Sequence, residues 1–246
     1  MTRPVYVDPD IKDVAEGSTV ILSGDEARHA VTVRRTKVGE QIDVVNGCGY
    51  RATISVTATS KTQLSGTVEH SAQEPAHKPH MTLVQALAKG GRDEQAIETA
   101  TEYGADSFIP WQADRSIVSW SQDAKVAKGQ ARWQATAKAA AKQSRRSWIP
   151  KVGNVVSSKQ LVSHIVAEVE RGTAVYVCHE SATEPLRNQR FDSERVMFIV
   201  GPEGGITDDE LNQFVNAGAM SVLLGEHVLR SATAGPWAIA VIRANA

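Results

Sequence analysis

The segment Val196-Met-Phe-Ile-Val-Gly-Pro-Glu-Gly-Gly-Ile206 is the most informative about the fold of the second half of the chain. An uninterrupted apolar run leads directly into a glycine-rich loop, and Thr207-Asp-Asp-Glu210 then has the spacing of a helix capping box. A strand that is apolar on both faces is typical of a parallel sheet covered by helices. Such sheets bind ligands at the carboxyl ends of their strands, so the loop is a candidate ligand site.

A second segment repeats this pattern: Val222-Leu-Leu-Gly-Glu-His-Val-Leu-Arg-Ser-Ala-Thr-Ala234. It also predicts a strand, a glycine-containing loop and a helix. Three apolar residues, Leu224, Val228 and Leu229, occupy the loop, where polar residues would be expected. They favour either contact with a flat hydrophobic ligand or packing of a buried loop on the core, and the residues leave both open.

From residue 81 onward, strand and helix patterns alternate, which predicts a parallel α/β sheet. The predicted strands are Met81–Leu87, Ser107–Trp111, Thr173–Cys178, Arg195–Val200 and Met220–Leu224. The predicted helices are Glu94–Tyr103, Ser121–Arg145, Ser157–Arg171, one from Thr207 to about Gly218, and Ala232–Ala244.

Residues 1–70 instead predict a small β-barrel with one helix, because their apolar runs are short and rich in Thr, Val and Ile. Asn46-Gly47-Cys48-Gly49 is a hairpin-turn signal, and Ser23-Gly-Asp-Glu26 has capping-box spacing at the start of the helix. The proline-containing segment 71–80 is the candidate linker. The fold class is therefore α/β with a small all-β domain, divided as 1–70, 71–80 and 81–246.

Composition narrows the function classes only on average. The 246 residues carry 27 basic and 28 acidic side chains, which excludes a uniformly basic nucleic-acid-binding chain. Residues 121–151, however, hold eight basic side chains and one acidic one, whereas residues 152–228 hold five basic and eleven acidic. The basic segment lacks acidic partners at helical spacing and ends in Gln143-Ser-Arg-Arg-Ser-Trp148, so it favours phosphate binding over a simple solvated helix face.

Several classes of site are disfavoured by missing motifs. No GxxxxGK[ST] and no GxGxxG after the first α/β strand occur, which argues against a P-loop and a dinucleotide-binding oxidoreductase. Two distant cysteines predict no disulfide framework, and no zinc-ligand cluster is present, so no metal is expected. Neither a signal peptide nor an apolar run of membrane-spanning length is found, and the expected compartment is the cytoplasm.

Taken together, these motifs resemble the RsmE-type 16S rRNA methyltransferases of the SPOUT (SpoU–TrmD) superfamily. The likeness rests on Gly201-Pro-Glu-Gly-Gly205 and Leu224-Gly-Glu-His-Val-Leu-Arg-Ser-Ala-Thr-Ala234, and it covers nearly the whole chain. Further matching segments are His29–Arg35, Asn46-Gly47, Lys89–Glu98, Glu102–Gly104, Arg115-Ser116, Arg132-Trp133 and Gln143–Arg146. Two positions depart from the family pattern: Ala232 and Lys142 stand where the family has acidic residues.

The resemblance implies an N-terminal PUA-like β-barrel followed by a trefoil-knotted SPOUT α/β domain that forms a homodimer. It implies S-adenosyl-L-methionine as methyl donor and methylation of N3 of one uridine in 16S rRNA, free or in the assembled small ribosomal subunit. No membrane partner is expected.

Site residues follow from the loops together with the resemblance. The expected cofactor-binding residues are His179, Gly201, Pro202, Glu203, Gly204, Gly205, Leu224, Gly225, Val228, Leu229, Arg230 and Ser231. The expected RNA-binding residues are Arg3, Arg34, Arg35, Arg115, Gln143 and Arg146. Candidate catalytic residues are Arg230, Arg115 and Glu203, because a cation near the uracil oxygens favours the deprotonated ring. Arg230 has a structural alternative, an ion pair with Glu203.

Two other functions remain open at this point. The same fold serves methyl transfer to a ribose 2′-OH or to transfer RNA. The chain is alternatively a non-catalytic RNA-binding factor in ribosome assembly, although its intact loops speak against that.

Overall fold

The computed structural model describes residues 2–245, which form two compact units. The first contains the chain up to Ala76 together with Ala141–Ile149, and the second contains His77–Ala140 and the chain from Pro150 onward. The first unit therefore takes in nine residues from the middle of the chain, which the expected division into 1–70 and 81–246 does not anticipate.

The first unit is built on one five-stranded sheet. Its strands are β1 (Val5–Val7), β2 (Thr19–Ser23), β3 (Gln41–Val45), β4 (Tyr50–Thr59) and β5 (Gln63–Gln73). The order is β1-β3-β4-β5-β2, with antiparallel pairing throughout except between β1 and β3. Alternating side chains such as Ile42, Ile54 and Leu64 fill one apolar core. Strand β1 was missing from the sequence prediction because three residues carry too little periodicity.

The predicted turn between β3 and β4 is confirmed. The Asn46 side-chain oxygen accepts hydrogen bonds from the backbone N–H groups of Cys48 at 2.7 Å and Tyr50 at 3.0 Å. An asparagine that bonds to the backbone ahead of it closes a turn in the way expected of this residue type.

The predicted helix of the first unit forms, but not with the expected cap. Helix α1 (Gly24–Arg28) continues into a π-helical turn, His29–Val33, and the Ser23 side chain makes no capping hydrogen bond. The Glu26 carboxylate, which the capping box requires, instead accepts from Lys142 Nζ at 2.6 Å. An ion pair with a distant residue has therefore replaced the local interaction that the spacing predicted.

The second unit has a seven-stranded, all-parallel sheet. Its strands are β6 (His80–Ala86), β7 (Ser107–Gln112), β8 (Lys151–Val152), β9 (Val156–Ser157), β10 (Ala174–Cys178), β11 (Arg195–Val200) and β12 (Met220–Val222). Its helices are α2 (Arg92–Glu102), α3 (Asp123–Gln143, of which the last three residues belong to the first unit), α4 (Ser158–Glu170), α5 (Asp208–Asn216) and α6 (Ser231–Asn245). The strand order is β12-β10-β11-β6-β7-β8, with β9 pairing with β7. The predicted alternation of strands and helices is confirmed for the five predicted strands, whereas the two-residue strands β8 and β9, which follow one another without a helix, are not predicted by the sequence.

Both faces of this sheet are buried, which explains the apolar strands. Along β11, Val196, Phe198 and Val200 belong to one core cluster, whereas Met197 and Ile199 belong to the cluster on the opposite face. A strand covered by helices on both sides needs apolar residues at every position.

The expected linker 71–80 is shorter in the structure. Ser71–Gln73 continue β5 and pair with β4, and His80 is the first residue of β6. The sequence does not predict this extension of β5, because the added residues are polar. The end of a strand pair accepts polar side chains as readily as a loop does. Among the helices of residues 2–245, none has the length and apolar content needed to cross a membrane.

Candidate active site

A cavity of about 570 Å³ lies at the carboxyl ends of β10 and β11 in the second unit. Its wall combines the end of β10, the loop after β11 and the loop between β12 and α6. All twelve residues expected to bind a cofactor line it: His179, Gly201, Pro202, Glu203, Gly204, Gly205, Leu224, Gly225, Val228, Leu229, Arg230 and Ser231. The structure therefore brings together two loops that are about 20 residues apart in sequence.

The loop Gly201–Ile206 is held in place by three contacts outside itself. The Gly201 carbonyl accepts from Ser231 Oγ at 2.9 Å, and the Gly204 carbonyl accepts from Arg115 Nη1 at 3.1 Å. The third contact is made by the Glu203 carboxylate, which accepts hydrogen bonds from the segment after β6. A loop fixed at three points is preorganised for a ligand, because little ordering remains to be done on binding.

Two glycines of this loop are required by geometry. A Cβ added at Gly201 would lie 2.6 Å from Ile206 Cγ1, and Gly205 has a φ of +76°. The first position excludes a side chain by close approach and the second by backbone conformation.

Glu203 fixes the loop to the segment that follows β6. Its Oε1 accepts from Arg92 Nη1 at 2.8 Å and from the Lys89 backbone N–H at 3.2 Å. Partial burial opposes ionisation, but hydrogen bonds from its own backbone N–H, from Arg92 and from Lys89 outweigh it and lower the pKa of Glu203. Glu203 is therefore a carboxylate at neutral pH, and it holds Arg92 at the cavity.

Arg230 is exposed and lines the cavity, and within the described chain its side chain makes no ion pair. The alternative of an Arg230–Glu203 pair is wrong, because Arg92 takes that position. The Arg230 carbonyl accepts from the backbone N–H groups of Thr233 at 2.8 Å and Ala234 at 3.0 Å. These are the first backbone hydrogen bonds of α6, and they fix the Arg230 backbone at the rim of the cavity.

The sequence left two roles open for the apolar loop residues, contact with a ligand and packing on the core, and the structure is compatible with both. Leu224 and Leu229 pack against the core cluster of the second unit and also line the cavity. Val228 lines the same cavity but is 77% exposed. The cavity therefore has an apolar wall with a polar rim, the usual composition of a small-molecule site.

Two residues at the end of β10 complete the wall. Burial raises the pKa of the Cys178 thiol to about 12, so it is a neutral, unreactive group. His179 Nδ1 lies 2.8 Å from Ser181 Oγ. Neither forms a nucleophile–base pair with a cavity residue that the structure describes.

Sequence reasoning missed several wall residues, of which Arg92 is the most informative. It is the first residue of α2 and follows Gly90-Gly91, so a glycine loop after β6 was a visible signal. This glycine loop alone does not place Arg92 at the cavity, because the sequence does not reveal that β6 lies beside β11. The other missed wall residues are Cys178, Glu180, Val200, Ile206, Leu223, Glu226, His227 and Ala234.

The expected RNA-binding residues are divided between the units. Arg3, Arg34, Arg35, Gln143 and Arg146 belong to the first unit, whereas Arg115 belongs to the second and lines the cavity. Arg34, Arg35 and Gln143 are exposed. Arg3 is 44% exposed and lies 3.9 Å from Asp43, a weak interaction that leaves its charge accessible to solvent.

The basic segment is less available to an anion than its sequence indicated. Lys142 pairs with Glu26, and both side chains are more than 80% buried, with exposed fractions of 18% and 15%. Lys142 Nζ also lies 5.6 Å from the centre of the Tyr6 ring. Arg132 pairs with Glu94 at 2.8 Å. Acidic partners missing at helical spacing are thus supplied by other elements.

Comparison with known proteins accounts for both units. The RNA methyltransferase domain family matches residues 75–243, and the RNA methyltransferase PUA domain family matches residues 22–69. The ribosomal RNA small subunit methyltransferase E of Mycobacterium bovis is 43% identical over 227 residues, which cover 92% of this chain and 86% of that protein. The chain belongs to the ribosomal RNA small subunit methyltransferase E family.

A further member of the family, from Bacillus subtilis, is 30% identical over 245 residues, covering 96% of this chain and 94% of that protein. The crystal structure of the Neisseria gonorrhoeae methyltransferase E bound to S-adenosyl methionine superposes with a TM-score of 0.86. Its sequence is 28% identical, and the superposition covers 99% of this chain and 98% of that chain. The predicted PUA-like domain and SPOUT-type α/β domain are confirmed.

Proposed function

We propose that this chain transfers a methyl group from S-adenosyl-L-methionine to N3 of a specific uridine in the 16S rRNA of the small ribosomal subunit. The observation that carries the proposal is the single cavity at β10 and β11, into which all twelve expected cofactor residues converge. Family membership supports the reaction, because the related proteins are named as ribosomal RNA small subunit methyltransferases.

The cavity suits this cofactor in size and in chemistry. Its volume of about 570 Å³ lies within the range of small-molecule sites. Leu224, Val228 and Leu229 offer an apolar wall for an adenine, and the glycines at positions 201, 204 and 205 let the loop backbone approach a ligand without a side chain at those positions. When bound, the cofactor supplies an electrophilic sulfonium methyl group.

The chain's own residues orient the reactants and stabilise charge. Uracil N3 must lose a proton for methylation, and a cation beside its oxygens favours the deprotonated ring. Arg230 is the first candidate for that cation because it lies on the cavity and has a guanidinium without an ion pair among the described residues. Arg115 is the second candidate, although its Nη1 already supports the Gly204 carbonyl.

Glu203 suits a positioning role better than that of a general base. Its Oε1 is occupied by Arg92 and Lys89, and its pKa is lowered, so it is a weak proton acceptor. In the part of the chain that the structure describes, neither cavity histidine hydrogen-bonds to a carboxylate. Electrostatic stabilisation by arginine is therefore the proposed route to the reactive uracil.

The remaining parts of the proposal concern partners and location. The first unit recognises RNA through Arg3, Arg34, Arg35, Gln143 and Arg146, and the second presents the methyl group with Arg115 and Arg230 at the rim. The protein acts as a homodimer with a trefoil-knotted second unit, in the cytoplasm. It recognises folded RNA through phosphates and shape, in line with an aromatic content of only 5%.

Methyl transfer with tritiated S-adenosyl-L-methionine tests the reaction and its substrate. We expect label in 16S rRNA, and comparison of small subunits with free rRNA identifies the preferred form. Digestion and mass spectrometry should find N3-methyluridine. A ribose-methylated nucleoside, or label in transfer RNA only, would favour the alternative methyltransferases.

Calorimetry with S-adenosyl-L-methionine and with its demethylated product tests the cofactor assignment separately. We expect binding of both by the isolated protein. Tight RNA binding without cofactor binding or methyl transfer, in the presence as well as the absence of RNA, would support a non-catalytic assembly factor.

A further inference from the structure

A polar side chain lies fully buried beside the cavity without lining it. Gln85, the penultimate residue of β6, has an exposed fraction of 0%. It shares a face of the strand with Met81 and Leu83, which belong to the same core cluster as Ala234 and Ala238 of α6. Burying an amide completely costs free energy unless its polar atoms are hydrogen-bonded.

The hydrogen bonds of Gln85 lead to the cavity. Its Nε2 donates to Ser231 Oγ at 2.8 Å and to the Ala86 carbonyl at 3.3 Å. Ser231 Oγ in turn donates to the Gly201 carbonyl at 2.9 Å. A single chain of two hydrogen bonds therefore joins β6, the first residue of α6 and the first residue of the Gly201–Ile206 loop.

The strand register explains why Gln85 reaches this point. Gln85 pairs with Val200 of β11, the residue directly before Gly201, and with Pro110 of β7 on its other side. Its side chain thus starts level with the origin of the loop. Ser231 itself is buried, with an exposed fraction of 8%, so the bond at that hydroxyl is largely shielded from solvent.

Stability alone does not account for this amide. Gln85 Oε1 is buried and has no hydrogen-bond partner among the described residues. A methionine of similar length would fill the same space without leaving a polar atom unpaired. A group kept at such a cost is best explained by what its other atom does, which is to orient Ser231.

We propose that Gln85 is a positioning residue for the cofactor site, acting through Ser231 to hold the Gly201–Ile206 loop and the start of α6 at a fixed separation. We refer to Gln85, Ser231 and the Gly201 carbonyl as the buried latch. The loop Gly201–Ile206 and the segment from Leu223 to Ser231 that leads into α6 together supply most of the cavity wall, and the latch joins the first residue of one to the last residue of the other. This inference rests on the proposed function for the identity of the ligand, but not for the latch itself.

Cofactor affinity tests the latch. Gln85→Met removes one hydrogen bond of the latch and Ser231→Ala removes both, and each variant should weaken S-adenosyl-L-methionine binding at least about tenfold by calorimetry. The double variant should bind the cofactor no more weakly than the single variant with the lower affinity, because both changes break the same chain of hydrogen bonds. Multiplied effects in the double variant would overturn the proposal.

Thr82→Val is the matched control. Thr82 lies on the same strand, is 8% exposed and loses a comparable hydrogen bond, to Ser107 Oγ at 2.8 Å, but it does not line the cavity. We expect wild-type cofactor affinity for Thr82→Val. An equal loss in Thr82→Val and Gln85→Met would show that the effect is general destabilisation, which overturns the latch.

Hydrogen exchange of the ligand-free protein separates failure of the latch from failure of the proposed function. The latch predicts faster amide exchange in a peptide spanning residues 201–206 in Gln85→Met and Ser231→Ala than in the wild type and Thr82→Val. If the wild type does not bind the cofactor, the proposed function fails, and this exchange result alone decides the latch. Unchanged exchange in folded Ser231→Ala would overturn it, even if Gln85→Met does not fold.

Discussion

Single residues of the cavity differ in whether their side chains hydrogen-bond to the loops around them. Glu203, Arg115 and Ser231 make hydrogen bonds to other cavity residues, whereas the Arg230 guanidinium makes no ion pair in residues 2–245. This difference supports the proposal that Arg230 acts on the reacting ring, whereas Glu203 fixes the geometry of the loop.

Arg230→Ala should reduce methyl transfer about 100-fold or more, the usual cost of removing a group that stabilises developing charge. Cofactor affinity should change by less than about threefold, because Arg230 is proposed to stabilise the transition state rather than the bound cofactor. Rates with saturating RNA and calorimetry measure the two effects.

Arg187→Ala, an exposed arginine that does not line the cavity, is the control for Arg230 and should keep full activity. Near wild-type turnover of Arg230→Ala on its natural substrate would show that the assignment is wrong. A parallel loss of cofactor affinity would move Arg230 to the binding site instead.

At the scale of elements, identical capping-box spacing gave different outcomes. Ser157 with Gln160 and Thr207 with Glu210 form complete boxes at the starts of α4 and α5. Ser23 with Glu26 does not, because Glu26 pairs with Lys142. The sequence shows which residues are able to cap, and competition from distant partners decides which of them do.

Glu210 joins three elements and should make stability depend on pH. It is 2% exposed and accepts from Ser158 Oγ at 2.6 Å, the Asp114 N–H at 2.9 Å and Thr207. Burial opposes ionisation, but these hydrogen bonds lower the pKa of Glu210 below its ordinary value. Its contribution is therefore complete above the unfolded-state pKa of about 4.3 and is lost as the pH falls through the folded-state value.

Glu210→Gln should lower the free energy of unfolding by about 2 kcal/mol at pH 7, since it removes charge-assisted hydrogen bonds. The deficit should shrink as the pH falls below about 4. Urea titrations from pH 3 to 7 measure this, with the exposed Glu98→Gln as control. A deficit that stays constant with pH would contradict the role of the ionised carboxylate.

The Lys142–Glu26 pair predicts a charge-swap result. Lys142→Glu should cost about 2 kcal/mol of stability, because it places two carboxylates together in a mostly buried position. The double variant Lys142→Glu with Glu26→Lys should recover at least half. Urea denaturation followed by circular dichroism is the measurement.

Lys78→Glu is the matched comparison, because the Lys78–Glu194 pair has the same 2.6 Å separation but side chains 72% and 75% exposed. It should cost no more than about 1 kcal/mol. Equal losses in Lys78→Glu and Lys142→Glu would show that Lys142 is solvated and accessible to RNA after all.

At the scale of the whole molecule, the proposed RNA contacts and the cavity are concentrated in different units. Most expected RNA contacts lie in the first unit, whereas the cavity belongs entirely to the second. RNA affinity and cofactor affinity should therefore be separable by mutation.

The double variant Arg34→Gln with Arg35→Asn should weaken RNA binding and reduce the slope of log affinity against log salt by about 2, with cofactor affinity unchanged. Asparagine is chosen because Arg35 has a φ of 56°, which that residue tolerates. Filter binding at several salt concentrations is the measurement. Arg187→Gln with Arg190→Gln, also an exposed arginine pair, is the control and should leave the slope unchanged. An unchanged slope in the Arg34 and Arg35 variant would remove these residues from the RNA surface.

Local patterns in the sequence are enough to predict the kind and order of most elements, since apolar periodicity, glycines and caps are local properties. It also marked the two loops of the cavity, because glycines beside buried strands are visible without a structure. Which groups meet is visible only in the three-dimensional packing: Arg92 with Glu203, Lys142 with Glu26, and Gln85 with Ser231. Those contacts join residues 111, 116 and 146 positions apart, and they follow from strand order and packing, which no local pattern encodes.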